Sequence, residues 1–93
     1  MTATIVWSHQ ASRQYLESLR HIAFEDWHAA QLVQSRVEKS LKLLAQFPAL
    51  GSIAAVAGVR TYPVPRTGHS FDYRVVRNEI RIQRWYRQRQ TSS

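Results

Sequence analysis

The sequence predicts an α+β fold in which an N-terminal strand, an antiparallel helical hairpin and a three-stranded antiparallel sheet follow in the order β-α-α-β-β-β. Three observations predict it: a short β-branched start, two segments with apolar residues at spacings of three and four, and alternating segments in the C-terminal third. The length of 93 residues leaves room for one domain. We expect that domain to span residues 1–93, with residues 91–93 as a frayed tail.

The first half of the chain is predicted to hold one strand and two helices. Residues 2–7 are β-branched and short, which favours a strand, and Ser8 is a good N-cap for the segment that follows. Apolar residues then recur at helical spacing over residues 9–24. Asp26 is a second N-cap, and the apolar stripe after it runs up to Pro48, which ends the helix. Two helices joined by so few residues should pack as an antiparallel hairpin on one face of the sheet.

The second half is predicted to form strands over residues 59–64, 70–76 and 79–86. Pro63 cannot donate a ladder hydrogen bond, so the first of these strands should lie at an edge or a bulge. The gap "RN" between the other two has the length of a hairpin turn. Strand alternation then directs Ile80 and Ile82 inward and Arg81 and Gln83 outward. The segment "GSIAAVAG" is predicted to be a loop.

Positive charge is concentrated at the C-terminal end of the chain. The formal net charge is +7, and residues 60–93 hold eight of the 13 basic residues but only two of the six acidic ones. All eight are arginines, which bind phosphate or carboxylate with two parallel hydrogen bonds and stack on flat rings. We therefore expect an acidic partner.

Composition excludes several kinds of site. The absence of cysteine excludes disulfides, thiolate nucleophiles and cysteine-bearing zinc sites. The four histidines have no ligand spacing, and no glycine-rich phosphate loop is present, so we expect neither a metal nor a cofactor. The longest apolar run, "IAAVAGV", is too short to span a membrane, and the first residues lack the pattern of a signal peptide. We expect a cytoplasmic protein without a membrane partner.

The segment "EIRIQRWYRQRQ", residues 79–90, alternates aliphatic residues with arginines and carries two adjacent aromatic rings. It is either a final strand whose arginines only keep the protein soluble, or a surface for a polyanion. In the second case arginines contact phosphates while a ring stacks on a base. The predicted contact residues for a target or a nucleic acid are Arg74, Arg81, Trp85, Tyr86, Arg87 and Arg89.

The motifs "IVWS", "LAQFPALG", "GVRTYPV", "YRVV" and "IRIQRWYRQRQ" follow one another between Ile5 and Gln90. In this order the chain resembles the RelE/ParE superfamily of bacterial toxins from type II toxin–antitoxin systems. The resemblance implies a RelE/ParE-like fold and a cognate acidic antitoxin as partner, in a toxin–antitoxin hetero-oligomer. It also implies that the antitoxin is disordered alone and wraps the toxin as a helix or strand, and we expect it to lie along the helical hairpin and the sheet edge.

One branch of this superfamily, the RelE-like toxins, cleaves messenger RNA on the ribosome without a metal. Such cleavage needs a base, an acid and cations around the phosphate. If the chain is such an endoribonuclease, its catalytic candidates are Arg60, Arg74, Arg81, Tyr86 and Arg87. Several departures disfavour this branch: no lysine follows Lys42, no histidine follows His69, and Ser70 stands where some of these nucleases have an arginine.

The other branch, the ParE-like toxins, inhibits growth by poisoning DNA gyrase and lacks the nuclease residues. Its last strand commonly ends in a pattern like His-x-Arg-Gln. The chain has "RQRQ", in which Arg87 replaces the histidine while Arg89 and Gln90 match. The resemblance is therefore closer to this branch. The ribosome-dependent nuclease and a non-toxic basic nucleic-acid-binding module remain the alternatives.

Overall fold

The computed structural model describes residues 2–88, which form two helices and five strands. Their bounds are β1 Thr4–Trp7, α1 His9–Glu25, α2 Trp27–Gln46, β2 Ser52–Ile53, β3 Arg60–Val64, β4 His69–Val76 and β5 Glu79–Arg87. The predicted α+β class and the predicted order of the longer elements are confirmed.

The five strands form a single sheet in the order β1-β5-β4-β3-β2. β1 runs parallel to β5, whereas the other neighbouring pairs are antiparallel. A parallel pair needs a long crossover connection, which here includes the two helices. The two-residue strand β2 lies inside the predicted loop "GSIAAVAG", because so short a pairing leaves no alternating pattern in the sequence.

The outer edge of β3 is only partly covered. β2 pairs with Arg60 and Thr61 alone, so the edge is open from Tyr62 onward. Pro63 lies in this open part and pairs with Ser70 on its other side. The prediction that Pro63 marks an edge is confirmed, since a missing N–H costs nothing where no neighbouring strand would accept it.

Both helices begin at the predicted caps. The Ser8 hydroxyl accepts a hydrogen bond from the backbone N–H of Ala11 at 3.0 Å. The Asp26 carboxylate accepts from the N–H groups of His28 and Ala29 at 3.0 and 3.2 Å. Asp26 is also the residue at which α1 ends, so a single residue connects the helices. Neither helix in residues 2–88 has the length and apolar character needed to cross a membrane.

The core lies between the helical hairpin and one face of the sheet. Its largest fully buried side chains are Val37, Leu44, Phe71, Tyr73, Ile80, Ile82 and Trp85. A ladder of four rings ties α1 to three strands. Its successive centroid distances are 5.0 Å for Trp7–Tyr15, 4.8 Å for Tyr15–Trp85 and 5.0 Å for Trp85–His69.

A bulge in β5 changes which side chains face the helices. Tyr73 lies opposite Ile82 and Asp72 opposite Arg84, so Gln83 is an extra residue without a partner of its own. One extra residue inverts the alternation of all side chains that follow it. Trp85 is consequently 2% exposed. The prediction that Trp85 forms part of a binding surface is therefore wrong, because its ring is enclosed in the core.

Candidate functional site

The sheet face opposite the helices carries most of the predicted contact residues. Arg74 lies directly across from Arg81, and Asp72 across from Arg84. Tyr86 lies beside them on β5, across from Ser70. We call this surface, formed by Asp72, Arg74, Arg81, Arg84 and Tyr86, the outward basic face. It carries three arginines and one carboxylate.

Hydrogen bonds across three strands fix the middle of the outward basic face. One oxygen of the Asp72 carboxylate accepts from the Thr61 hydroxyl at 2.8 Å and from the Tyr86 hydroxyl at 2.8 Å. The guanidinium carbon of Arg84 lies 4.4 Å from the centroid of the Tyr86 ring, at the distance of a cation–π contact. The ring of Tyr86 is thus held between a carboxylate at its hydroxyl and a cation over its face.

Tyr86 keeps its proton in this network. Partial burial raises the pKa of the Tyr86 hydroxyl, and the hydrogen bond that it donates to Asp72 raises that pKa further. A hydroxyl that is neutral and already donates to a carboxylate is a poor proton acceptor. The geometry therefore suits recognition better than base catalysis.

The remaining two arginines of the face are held differently. Arg74 donates from Nη1 to the backbone carbonyl of Ala57 at 3.2 Å. Gly58, at φ +80°, lies so close that a Cβ there would be 2.7 Å from the same nitrogen. The loop before β3 thus positions Arg74. Arg81 pairs with Glu79 at 3.0 Å, but both side chains are about half exposed (51% and 41%), so water screens this pair and a partner can displace it.

Arg60 lies away from this face. It pairs with Tyr73 on the helix-covered side and donates from Nη1 to the carbonyl of Gly51 at 2.7 Å. The Tyr73 hydroxyl donates to the carbonyl of Pro48 at 2.7 Å and accepts from the N–H of Gly51 at 2.9 Å. Both side chains therefore anchor the turn after α2, and burial raises the pKa of Tyr73.

The predicted contact set is divided among three places. Arg74, Arg81 and Tyr86 share the outward basic face, whereas Arg87 lines a cleft with α1 on the opposite side of the sheet. Trp85 lies in the core, where its Nε1–H donates to the Ser18 hydroxyl at 3.0 Å. The predicted contact residue Arg89 lies outside the described residues, as does the predicted tail, residues 91–93.

Sequence reasoning missed Arg84, Asp72 and Thr61 as members of the site. Asp72 and Thr61 lie on neighbouring strands. The sequence indicates their contact only through the register in which those two strands pair. Arg84 falls out of step with Arg81 in a regular strand, so only the bulge at Gln83 places both on one face. Within residues 2–88, no three histidine, aspartate or glutamate side chains cluster as metal ligands would.

A family model described as the ParE toxin of type II toxin–antitoxin systems, parDE, matches residues 5–90. The chain belongs to the ParE toxin family. Similarity to this family thus covers nearly all of the described structure. A comparison with curated proteins gives no match.

Several solved structures share the fold of this ParE-family chain. The chromosomal ParDE toxin–antitoxin system from P. aeruginosa aligns with a TM-score of 0.81 at 24% identity, over 95% of this chain and 98% of that chain. The isolated RelE toxin from E. coli gives 0.68 at 11% identity, over 96% and 87%. The YoeB dimer from Staphylococcus aureus gives 0.61 at 17% identity, over 98% and 100%. The predicted RelE/ParE-like fold is confirmed.

Proposed function

We propose that this ParE-family toxin inhibits growth by poisoning DNA gyrase and is neutralised by a cognate acidic antitoxin. The observation that carries the choice of target is the Tyr86–Asp72 hydrogen bond. It leaves the outward basic face with three arginines for binding a polyanion but with its tyrosine engaged as a donor. The closer similarity to the ParE branch supports the same choice.

Messenger RNA cleavage is the alternative that the geometry disfavours. Cleavage requires a base, an acid and cations around a single phosphate. Arg60 and Arg87 lie on the helix-covered side, so the sheet separates them from Arg74 and Arg81. The five nuclease candidates therefore do not form one centre.

The outward basic face suits a protein complex that contains DNA. Arginine binds phosphate oxygens with two parallel hydrogen bonds, and each such contact releases counterions from the nucleic acid. The Arg84–Tyr86 pair offers a cation close to a flat ring, at 4.4 Å. A gyrase–DNA complex presents phosphates beside a protein surface, and we propose that this face contacts both.

A groove between α2 and β3 is the proposed antitoxin site. The groove has a volume of about 190 Å3 and is lined by Arg36, Lys39, Ser40, Leu43, Tyr62 and Pro65. Leu32 and Leu43 on α2, and Phe47 directly after it, are 51%, 42% and 57% exposed. An apolar floor with cations at its rim fits an amphipathic, acidic segment. We call it the α2–β3 groove.

The target is tested with purified gyrase, plasmid DNA and the purified chain, with a ribosome and messenger RNA assay in parallel. We expect broken DNA to accumulate on gyrase while the messenger stays intact. The double variant Arg81→Gln/Arg84→Gln should weaken this effect, and Arg13→Gln, an exposed arginine on α1, should not. Cleavage of the messenger with intact DNA would overturn the proposed target.

The antitoxin is tested by co-expressing the chain with the acidic product of an adjacent gene. We expect a stable complex that Leu43→Glu disrupts, because a carboxylate would be placed in the apolar floor of the α2–β3 groove. Leu16→Glu is the matched control, since Leu16 is a similarly exposed leucine (51%) on α1. A complex equally sensitive to both substitutions, or to neither, would argue against the groove.

A further inference from the structure

A second basic site lies on the helix-covered side, between α1 and the adjoining ends of β4 and β5. Its volume is about 340 Å3. Arg87 and His69 line it from the strands, while Glu17, His21 and Ile22 line it from α1. We call it the His–Arg cleft. It is separated from the outward basic face by the sheet itself.

Arg87 supplies an uncompensated charge to this cleft. Among residues 2–88 the only ion pair within 4.0 Å joins Arg81 and Glu79. Glu17 lines the same cleft but does not pair with Arg87. Arg87 lies directly across from His69 in the strand register, so the two side chains point into the same space. The guanidinium is thus free to bind an anion.

His69 is held in one orientation beside Arg87. Its ring lies 5.0 Å from that of Trp85, at 13° between the planes. Its Nδ1 lies 3.0 Å from the carbonyl oxygen of Thr67. A carbonyl only accepts, so Nδ1 carries the hydrogen and Nε2 is the nitrogen left for a ligand. A fixed ring loses little freedom when a ligand binds.

We propose that the His–Arg cleft binds a single carboxylate side chain of an acidic protein segment, with Arg87 and protonated His69 as its two donors. This inference rests on the proposed antitoxin and adds a second contact to the α2–β3 groove. Glu17 and Ile22 favour a peptide over a nucleic acid. A phosphate chain would bring successive negative charges towards Glu17, whereas a peptide can place one carboxylate on Arg87 and apolar side chains on Ile22.

Binding should strengthen on acidification. Burial lowers the pKa of His69. The hydrogen bond with the Thr67 carbonyl raises that pKa by less, and the nearby charge of Arg87, the smallest of the three effects, lowers it again. The groups that face His69 are Arg87 from β5 and Glu17 and His21 from α1. A bound carboxylate favours the charged ring, so the complex takes up a proton. Because the pKa of the free ring lies below the ordinary value of 6.5, affinity should rise as the pH falls below 6.5.

The test adds two probes to the free chain, an end-capped Leu-Ala-Glu-Ala-Leu peptide with one carboxylate and a thymidine hexanucleotide, and monitors the histidine rings by NMR. We expect the peptide to shift the His69 resonances and Arg87→Gln to weaken this binding by about 10-fold, the loss typical of a charged hydrogen bond. Arg81→Gln, on the opposite sheet face, is the matched control and should retain the affinity. Shifts of His69 by the hexanucleotide alone, or equal affinities in both variants, would overturn the inference.

His69→Gln separates the two donors, since it removes the titration but leaves Arg87. We expect the peptide to bind this variant with an affinity that no longer rises on acidification, and a retained pH dependence would contradict the role of His69. Failure of the cleft is distinguishable from failure of the proposed function. An antitoxin complex that Leu43→Glu disrupts but Arg87→Gln leaves unchanged would remove only the cleft, and the absence of any acidic protein partner would remove the antitoxin.

Discussion

The two faces of the sheet use the same residue type in opposite ways, although β4 and β5 build both. On the helix-covered face, Arg60 donates to a backbone carbonyl and Arg87 lines a cleft. On the outward face, Arg74, Arg81 and Arg84 lie with the hydrogen-bonded pair Asp72–Tyr86. The difference shows that an arginine-rich strand is not one basic surface. The bulge at Gln83 decides which arginine belongs to which face.

The largest expected effect tests the assignment of Trp85 to the helix-covered face. Because this side chain is 2% exposed, Trp85→Ala should lower the free energy of unfolding by about 3–5 kcal/mol. Arg84→Ala on the outward face should lower it by less than about 1 kcal/mol. Urea unfolding followed by circular dichroism measures both. If the alanine variant is unfolded in water, Trp85→Phe gives a milder comparison, and near-equal losses for Trp85→Phe and Arg84→Ala would contradict the burial.

The next effect tests the network on the outward face. Asp72→Ala leaves two hydroxyls without their acceptor and should cost about 1–2 kcal/mol of unfolding free energy. The pKa of Tyr86 should fall, because the bond to Asp72 contributes to its elevation. Asp72→Asn, which keeps an acceptor oxygen, is the control and should lose less stability. A tyrosinate absorbance titration that is identical in wild type and Asp72→Ala would show that the bond does not form.

A smaller effect, at alkaline pH, tests the burial of Tyr15 in the four-ring ladder of the helix-covered face. Burial raises the pKa of Tyr15 to about 12, with a further contribution from Glu38. The unfolded chain loses this proton near pH 10.0, so the folded state holds it longer and stability falls as pH rises from about 10 to about 12. Allowing for solvent screening, we expect a loss of about 1 kcal/mol. Unfolding midpoints across this range measure it, and Tyr15→Phe should show a flatter profile.

The smallest effect compares the arginines of the two faces directly. Arg81→Gln and Arg84→Gln should each reduce the salt dependence of DNA binding by about one unit of log–log slope. Arg87→Gln should leave that slope nearly unchanged, because Arg87 lies behind the sheet. Fluorescence anisotropy with a labelled duplex at several salt concentrations measures the slopes. Equal slopes for the three variants would mean that Arg87 contacts DNA as much as Arg81 and Arg84 do.

Much of the fold was predictable because local chemistry dictates it. Ser8 and Asp26 cap helices through their side-chain oxygens, and Pro63 excludes a central position in a sheet, whatever the remainder of the chain does. The two-residue strand β2 was not predictable, since it depends on the neighbouring edge of β3 rather than on its own residues.

The site was predictable only in part. Arg74 and Arg81 alternate regularly up to the bulge, so their common face followed from the sequence. Beyond Gln83 the pattern "RWYR" fits either phase of a strand, and only the packing of Trp85 beneath α1 selects one. The same choice places Arg84 and Tyr86 on the outward face and removes Arg87 from it.

The stacking of His69 on Trp85 at 5.0 Å also makes Trp85 fluorescence sensitive to the charge of His69. An imidazolium in contact with an indole accepts an electron from its excited state, whereas a neutral imidazole does so poorly. Emission from Trp85 should therefore dim when His69 becomes charged and recover when it is neutral. With Trp7 and Trp27 replaced by phenylalanine, the fluorescence of Trp85 would report occupancy of the His–Arg cleft without an attached dye.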